Sequence, residues 1–174
     1  MVKKVIRNEL LNRGIILARR DNCIFLREIY TELLGLIINR QPLKLALNLV
    51  YNSIRKLVNS EVDYKKLVVL RGLGANYKSK NYFLKIFSDY LAFIGKPMNP
   101  GDRLDFLIIQ NSESLLGKKM RLVEQYTESL KTSEPLIIDN MYYLEKALMK
   151  PLDQLISVGY STELEKKKDF NYTP

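Results

Sequence analysis

The chain has 174 residues, 47% hydrophobic and 27% charged, enough apolar material for a packed core and too short for a large multidomain enzyme. Its 28 Lys and Arg against 19 Asp and Glu give a net charge of +9, which suits an anionic partner: nucleic acid, an acidic protein or a membrane surface. With no His and Cys23 as the single Cys, a Ser-His-Asp or Cys-His centre, a Cys/His zinc site and an intrachain disulfide are all excluded.

No apolar run approaches the roughly 18 to 20 residues of a membrane span. The basic N-terminus, residues 1–14, lacks the apolar core of a signal peptide. Ile15-Ile16-Leu17-Ala18 reads as a short buried strand, with Asp21 or Asn22 capping the helix that follows. From Cys23 to Asn39, Leu26, Ile29, Tyr30, Leu33 and Ile37 recur at steps of three and four, the mark of an amphipathic helix. Pro42 suits a first helical position, and Leu43, Ala46, Leu47, Val50, Ile54 and Val58 form the next apolar face. So short a connection predicts a helical hairpin.

Leu67 to Leu70 reads as a strand ending in an Arg71-Gly72-Leu73-Gly74 turn. The next helix is expected from Ser79 to Ile94, with Phe83, Ile86, Phe87, Tyr90 and Ile94 inward, terminated by Gly95 and Pro97. Pro100-Gly101-Asp102 is a turn before a β-rich run, Leu104 to Ile109, with Phe106 and Ile108 on one face. Leu115 to Lys131 fits no single period. Asp139 is placed to cap a last helix through Ser157, with Met141, Leu144, Leu148, Leu152, Leu155 and Ile156 inward and a kink at Pro151. Residues 161–174, with Lys166-Lys167-Lys168, read as a flexible basic tail. The pattern is a mostly α (α+β) fold with a few short strands.

Gly72-Leu73-Gly74-Ala75-Asn76-Tyr77-Lys78-Ser79 matches a phosphate-binding loop at all but one position, and Pro135 to Asp139 mimics an apolar strand ending in a magnesium-binding Asp. The failed position decides against nucleotide binding: Tyr77 stands where a Gly lets the backbone N–H groups close on phosphate. Asp102 and Asp105 read as a turn residue and a strand-edge residue, and Cys23 as a core residue. The basic positions carry more. Arg19 and Arg20 precede a helix, and Lys65, Lys66, Arg71, Lys78 and Lys80 crowd one stretch with Asn76, Tyr77 and Ser79 interleaved. No carboxylate interrupts Lys65 to Lys85, and cations mixed with hydrogen-bonding side chains suit a phosphate backbone.

Three separated segments resemble the C-terminal part of family B DNA polymerases. Arg13 to Cys23, with its Arg-Arg-Asp-Asn-Cys run, is similar to the segment where the palm hands over to the thumb. Gly101-Asp102-Arg103 before a β run matches the family's Gly-Asp-Arg turn. Ile138-Asp139-Asn140-Met141-Tyr142-Tyr143-Leu144-Glu145-Lys146 through Lys150-Pro151-Leu152 resembles the last thumb helix. The resemblance covers residues 13–157 in order, and is closest in flavour to the polymerases of large DNA viruses.

It implies a palm-to-thumb connection over residues 1–20, a helical thumb domain over 21–160 and the tail from 161. It also implies a role in gripping duplex primer–template DNA beside the rest of the polymerase, inside the cell at the site of DNA replication. The palm's catalytic motifs do not occur in this sequence. The resemblance therefore implies an excised or separately encoded thumb with no catalytic residue, metal or cofactor of its own, inactive alone. The expected DNA contacts are Arg19, Arg20, Arg71, Lys78 and Lys80, with Asn76 and Tyr77 assisting. Asp102 is expected to brace its turn, and Tyr142 and Tyr143 to pack. A basic helical adaptor for an acidic protein partner is the alternative, and no membrane partner is expected.

Overall fold

Helical periodicity dominates the chain after Asn22, and the structure, a computed structural model that describes residues 2–6, 9–13 and 22–164, is mostly helical with a small antiparallel sheet. The expected strand at Ile15–Ala18, the Asp21 cap and the Lys166–Lys168 tail lie outside the described residues. The chain divides into two compact units, residues 63–139 and the segments on either side of them.

In the flanking unit, β1 (Val2–Ile6) pairs antiparallel with β2 (Glu9–Arg13), Val2 opposite Arg13 and Ile6 opposite Glu9. Lys3, Lys4 and Asn12 dilute the apolar signal there, so the sequence reading has no strand at this place. Helix α1 (Ile24–Ile38) buries Phe25, Leu26, Ile29, Tyr30, Leu33 and Leu34. Its cap position is Cys23 rather than Asn22: Cys23 is still extended, and its carbonyl accepts the first helical bond, from Arg27 N–H at 3.3 Å.

Helix α2 (Leu43–Val58) packs on α1. Pro42 is the cap, not the first helical residue, because its ψ of 142° is extended. The Leu43 N–H donates to Glu163 Oε2 at 3.3 Å, so residues 161–164, expected in the flexible tail, are helical and bring a carboxylate to the positive end of α2. The buried face is Leu43, Ala46, Ser53 and Leu57, with Val50 and Ile54 half-buried. Leu47 and Val58, expected inward, are exposed. The difference traces to Ser53, whose Oγ donates to the Leu49 carbonyl at 2.8 Å. A hydroxyl satisfied by its own helix can occupy a core position, and a reading that follows apolar residues alone then rotates the face away from it.

Helices α1 and α2 both end on a left-handed residue that is not glycine, Arg40 at φ 52° and Ser60 at φ 60°. Each is bracketed by the same pair of bonds, Gln41 N–H to Leu36 O and Arg40 N–H to Ile37 O in α1, Glu61 N–H to Lys56 O and Ser60 N–H to Leu57 O in α2.

The last helical run comprises α6 (Asn140–Tyr142), a π-helical segment (Tyr143–Leu148) and α7 (Met149–Gly159). Pro151 has no N–H for the Ala147 carbonyl and its ring crowds that oxygen. Before the proline the helix has a widened turn, in which Met149 N–H reaches five residues back to Leu144 O. The buried residues of this run are Tyr143, Leu148, Leu152 and Leu155, at steps of five, four and three. Met141, expected inward, is exposed, and Tyr143 takes the inward place with its ring edge-on to Tyr142 at 5.9 Å. Helix α7 packs on α1.

In the central unit, Asp63 Oδ1 accepts from Lys65 N–H at 2.9 Å and caps a 3-10 turn at Tyr64–Lys66. Leu67 closes that turn, so the strand begins two residues later than expected: β3 is Val69–Gly72 and includes Arg71. It pairs antiparallel with β4 (Arg103–Ile108), which pairs with β5 (Met120–Leu122). Phe106 and Ile108 share a face as predicted, but Leu107 and Ile109 on the opposite face are equally buried, so this end of β4 is covered on both sides.

Helix α3 (Phe83–Phe93) starts four residues later than expected, because Ser79 holds a turn of its own. Its Oγ accepts from Asn81 N–H at 3.2 Å and its carbonyl from Tyr82 N–H at 3.2 Å. Leu84, Phe87 and Leu91 are buried; Phe83, Ile86 and Tyr90 are half-buried, and Ile94 is exposed. Gly95 ends α3 at φ 78°, as predicted. The aperiodic stretch from Leu115 resolves into α4 (Leu116–Lys119), β5 and α5 (Val123–Ser129). Gly117 permits α4 to touch α3: a Cβ there would lie 2.5 Å from the Phe83 carbonyl oxygen and 2.6 Å from Ile86 Cβ.

Candidate nucleic-acid interface

Arg71 lies on β3, and the connection from β3 to α3 that follows it carries Asn76, Tyr77, Lys78 and Lys80. Arg71 is set by the β3–β4 ladder, opposite Leu104. Beyond the ladder, Leu73 is buried and bonded both ways to the neighbouring turn: its N–H donates to the Asp102 carbonyl at 2.8 Å, and its own carbonyl accepts from Gly101 N–H at 2.8 Å. Gly101, at φ 95°, supplies the backbone geometry that turn needs. Asp102 braces the turn as expected, its Oδ2 accepting from Asn99 N–H at 2.8 Å. The Gly-Asp-Arg segment thus anchors the base of the basic loop.

Tyr77 fastens the middle of the loop. Its ring stacks on Tyr82 with centroids 4.9 Å apart, and its hydroxyl oxygen accepts from Gly74 N–H at 2.6 Å. The Gly74 donor, which a phosphate-binding loop would offer to its ligand, is taken by the loop's own side chain. With α3 beginning at Phe83, no helix N-terminus follows Lys78-Ser79 directly, as that motif requires. The second half of the resemblance fails as well: Asp139 Oδ2 accepts from Lys119 Nζ at 3.0 Å, in a pair only 14% and 22% exposed. Among the described residues, no group of three His, Cys, Asp or Glu is placed to hold a metal ion.

Lys78, Lys80 and Asn76 are exposed, and none has a hydrogen-bond or ion partner among the described residues. Tyr77 is half-buried and keeps its hydroxyl proton for donation. Arg19 and Arg20 lie outside the described residues. Several other cations of this unit are already engaged. Lys85 Nζ pairs with Asp89 at 2.6 Å, Lys118 with Glu113 at 3.1 Å and Lys96 with Glu124 at 2.8 Å.

Arg121, on β5, was not singled out by its sequence context. Its guanidinium lies 4.9 Å from the Tyr90 ring centroid and donates to the carbonyls of Lys118 and Met120 at 2.9 and 2.7 Å. Gln125 Nε2 donates to the Tyr90 hydroxyl at 3.1 Å, and its Oε1 accepts from Leu122 N–H at 2.9 Å. These bonds fix the β5–α5 corner. No period in the sequence could have signalled the contacts with Tyr90, which lies more than 30 residues before Arg121 and Gln125.

The comparisons with known proteins agree with one another. Residues 1–158 match the family model for DNA polymerase family B. The chain is 30% identical over 156 residues to the DNA polymerase of Pyramimonas orientalis virus, covering 84% of this chain and 12% of that protein. It is 30% identical over 145 residues to the DNA polymerase delta catalytic subunit of Oryza sativa subsp. japonica, covering 80% of this chain and 13% of that protein. It therefore spans about an eighth of the length of these relatives. The family B DNA polymerase of the archaeon Pyrobaculum calidifontis shares the fold at 15% identity, with a TM-score of 0.57 over 79% of this chain and 17% of that one. A family match over nine-tenths of the sequence, laid on a fold that a polymerase shares, places this chain in DNA polymerase family B.

Proposed function

We propose that this chain is the thumb of a family B DNA polymerase and holds the primer–template duplex during DNA replication. The observation that carries the reading is the pinned loop between β3 and α3, which presents Lys78 and Lys80 exposed and unpaired beside Asn76. A thumb must hold duplex of any sequence and let it slide, which calls for phosphate contacts rather than base readout. Arg19, Arg20 and Arg71 complete the proposed contacts, with Tyr77 as a hydroxyl donor. The relative from Pyramimonas orientalis virus supports assigning the polymerase to a large DNA virus. The carboxylates for two-metal nucleotide addition would come from the palm, so this chain alone extends no primer.

Fluorescence anisotropy with duplex DNA tests the reading. About five neutralised phosphates give a log–log salt slope of roughly −4 to −5. Lys78→Glu with Lys80→Glu removes most of the affinity while circular dichroism stays unchanged, since exposed charges contribute little to stability. A folded double variant that binds duplex like the wild type, or a flat salt dependence, refutes the assignment.

A further inference from the structure

Helix α2 has more apolar surface than its own unit covers. At about 100° per residue, Leu47, Tyr51 and Val58 fall within about 40° of one another, next to the buried face and continuous with it through Ile54. They are 44%, 66% and 49% exposed. Three large side chains aligned on one helix face are a stripe rather than scattered surface residues. Its outer rim is cationic: Lys44 and Arg55 occupy the next sector of the helix, α2 contains no Asp or Glu, and neither cation has an ion partner among the described residues.

We propose that this stripe is the docking face for an amphipathic, carboxylate-rimmed helix from the remaining polypeptide of the polymerase. The proposal rests on the reading of the chain as part of a longer polymerase. Two observations select the occupant. The relatives are about eight times longer than this chain, so most of the polypeptide with which such a segment works lies in other sequence. The rim is complementary in charge to acidic residues, and the centre to apolar ones. A helix with Leu or Phe at steps of three and four and Glu beside them meets both conditions. Duplex DNA fits the rim but leaves Leu47, Tyr51 and Val58 against phosphate and water. A bilayer fits the charge, but a bare sector of three side chains on a helix already packed on its other side is little to insert.

The test uses the whole 174-residue chain and two synthetic helical peptides with the same leucine stripe, one flanked by Glu and one by Lys. The Glu-rimmed peptide should bind, the Lys-rimmed one at least about tenfold more weakly, and Tyr51→Ser with Val58→Ser should lower affinity for the Glu-rimmed peptide about tenfold or more. Because both substituted side chains are exposed, circular dichroism and duplex binding should be unchanged. Failure of the folded chain to bind the Glu-rimmed peptide, equal binding of both peptides, or full affinity in the double variant overturns the proposal. So does loss of duplex binding in that variant, which makes the stripe a DNA surface, or binding of anionic phosphatidylserine vesicles that depends on Tyr51. The thumb reading is tested separately through Lys78 and Lys80, so either idea can fail while the other stands.

Discussion

Gly117→Ala adds one methyl group where α4 meets the first turn of α3. The new Cβ would sit 2.5 Å from the Phe83 carbonyl oxygen, 2.6 Å from Ile86 Cβ and 2.9 Å from Ile86 Cγ2. Carbon contacts are relaxed at about 3.5 Å or more, so the two helices must separate by roughly 1 Å. The nearest obstacle is backbone, and Ile86 cannot withdraw its Cβ by changing rotamer. Overpacking of this kind costs about 1–3 kcal/mol, which for a chain of this size lowers Tm by roughly 4–8 °C at the middle of that range.

Gly159→Ala is the internal control. Its Cβ would meet Ile37 Cδ1 at 2.5 Å and Cγ1 at 2.8 Å, the outer atoms of a half-buried side chain that can rotate away. The loss there should be under about 1 kcal/mol, and Ile37→Val, which deletes Cδ1, should recover part of it. Thermal unfolding followed by circular dichroism reads both. Phe83 directly follows the basic loop, so Gly117→Ala should also weaken duplex binding at temperatures where the variant is folded. A Gly117→Ala protein as stable as the wild type, or one less perturbed than Gly159→Ala, would refute the argument from rigid neighbours.

Three further outcomes are expected. Arg40→Gly relieves a left-handed non-glycine residue and should stabilise by about 0.5–1 kcal/mol in denaturant titration. Ser60→Gly should gain almost nothing, because it also loses the 2.9 Å bond from Asn140 Nδ2 to Ser60 Oγ. Lys119→Met removes the cation from a mostly enclosed pair with Asp139 and should cost roughly 1–3 kcal/mol even in high salt, whereas Lys85→Met breaks an exposed pair and should cost under about 0.5 kcal/mol. Burial raises the Cys23 thiol above 9.0 and the Tyr30, Tyr126 and Tyr160 hydroxyls above 10.0. The unfolded chain then loses these protons first, so stability should fall as pH rises through 9.0 and beyond, with Cys23→Ala flattening the early part of the decline. A Tm constant from pH 8 to about pH 11 would contradict this.

The sequence carried the elements whose signals are local. Pro97 and Gly95 marked the end of α3, Gly101-Asp102 marked its turn, and the alternation into β4 was visible. It missed what depends on distant partners or on satisfied polar groups. Ser53 concealed the true face of α2. Ser79 delayed α3 by bonding its own loop, and the step of five from Tyr143 to Leu148 lies outside any search at the period of an α-helix. At the candidate interface, composition located the basic loop, but not the anchor at Leu73 or the Tyr77–Gly74 bond. Both are contacts that only the folded chain brings together.

The widened turn before Pro151 gives the last helical run one residue of slack. Tyr143 and Leu148 are both fully enclosed although they are five apart, and the α-helical spacing that serves the same face is four. A chain shortened by one residue between them could close the turn to ordinary winding and leave both side chains inward, with everything before Tyr143 undisturbed. Length variation is therefore cheap at this point in the helix and costly a few residues later, where removing one residue between Leu148 and Leu155 would turn Leu155 out to solvent.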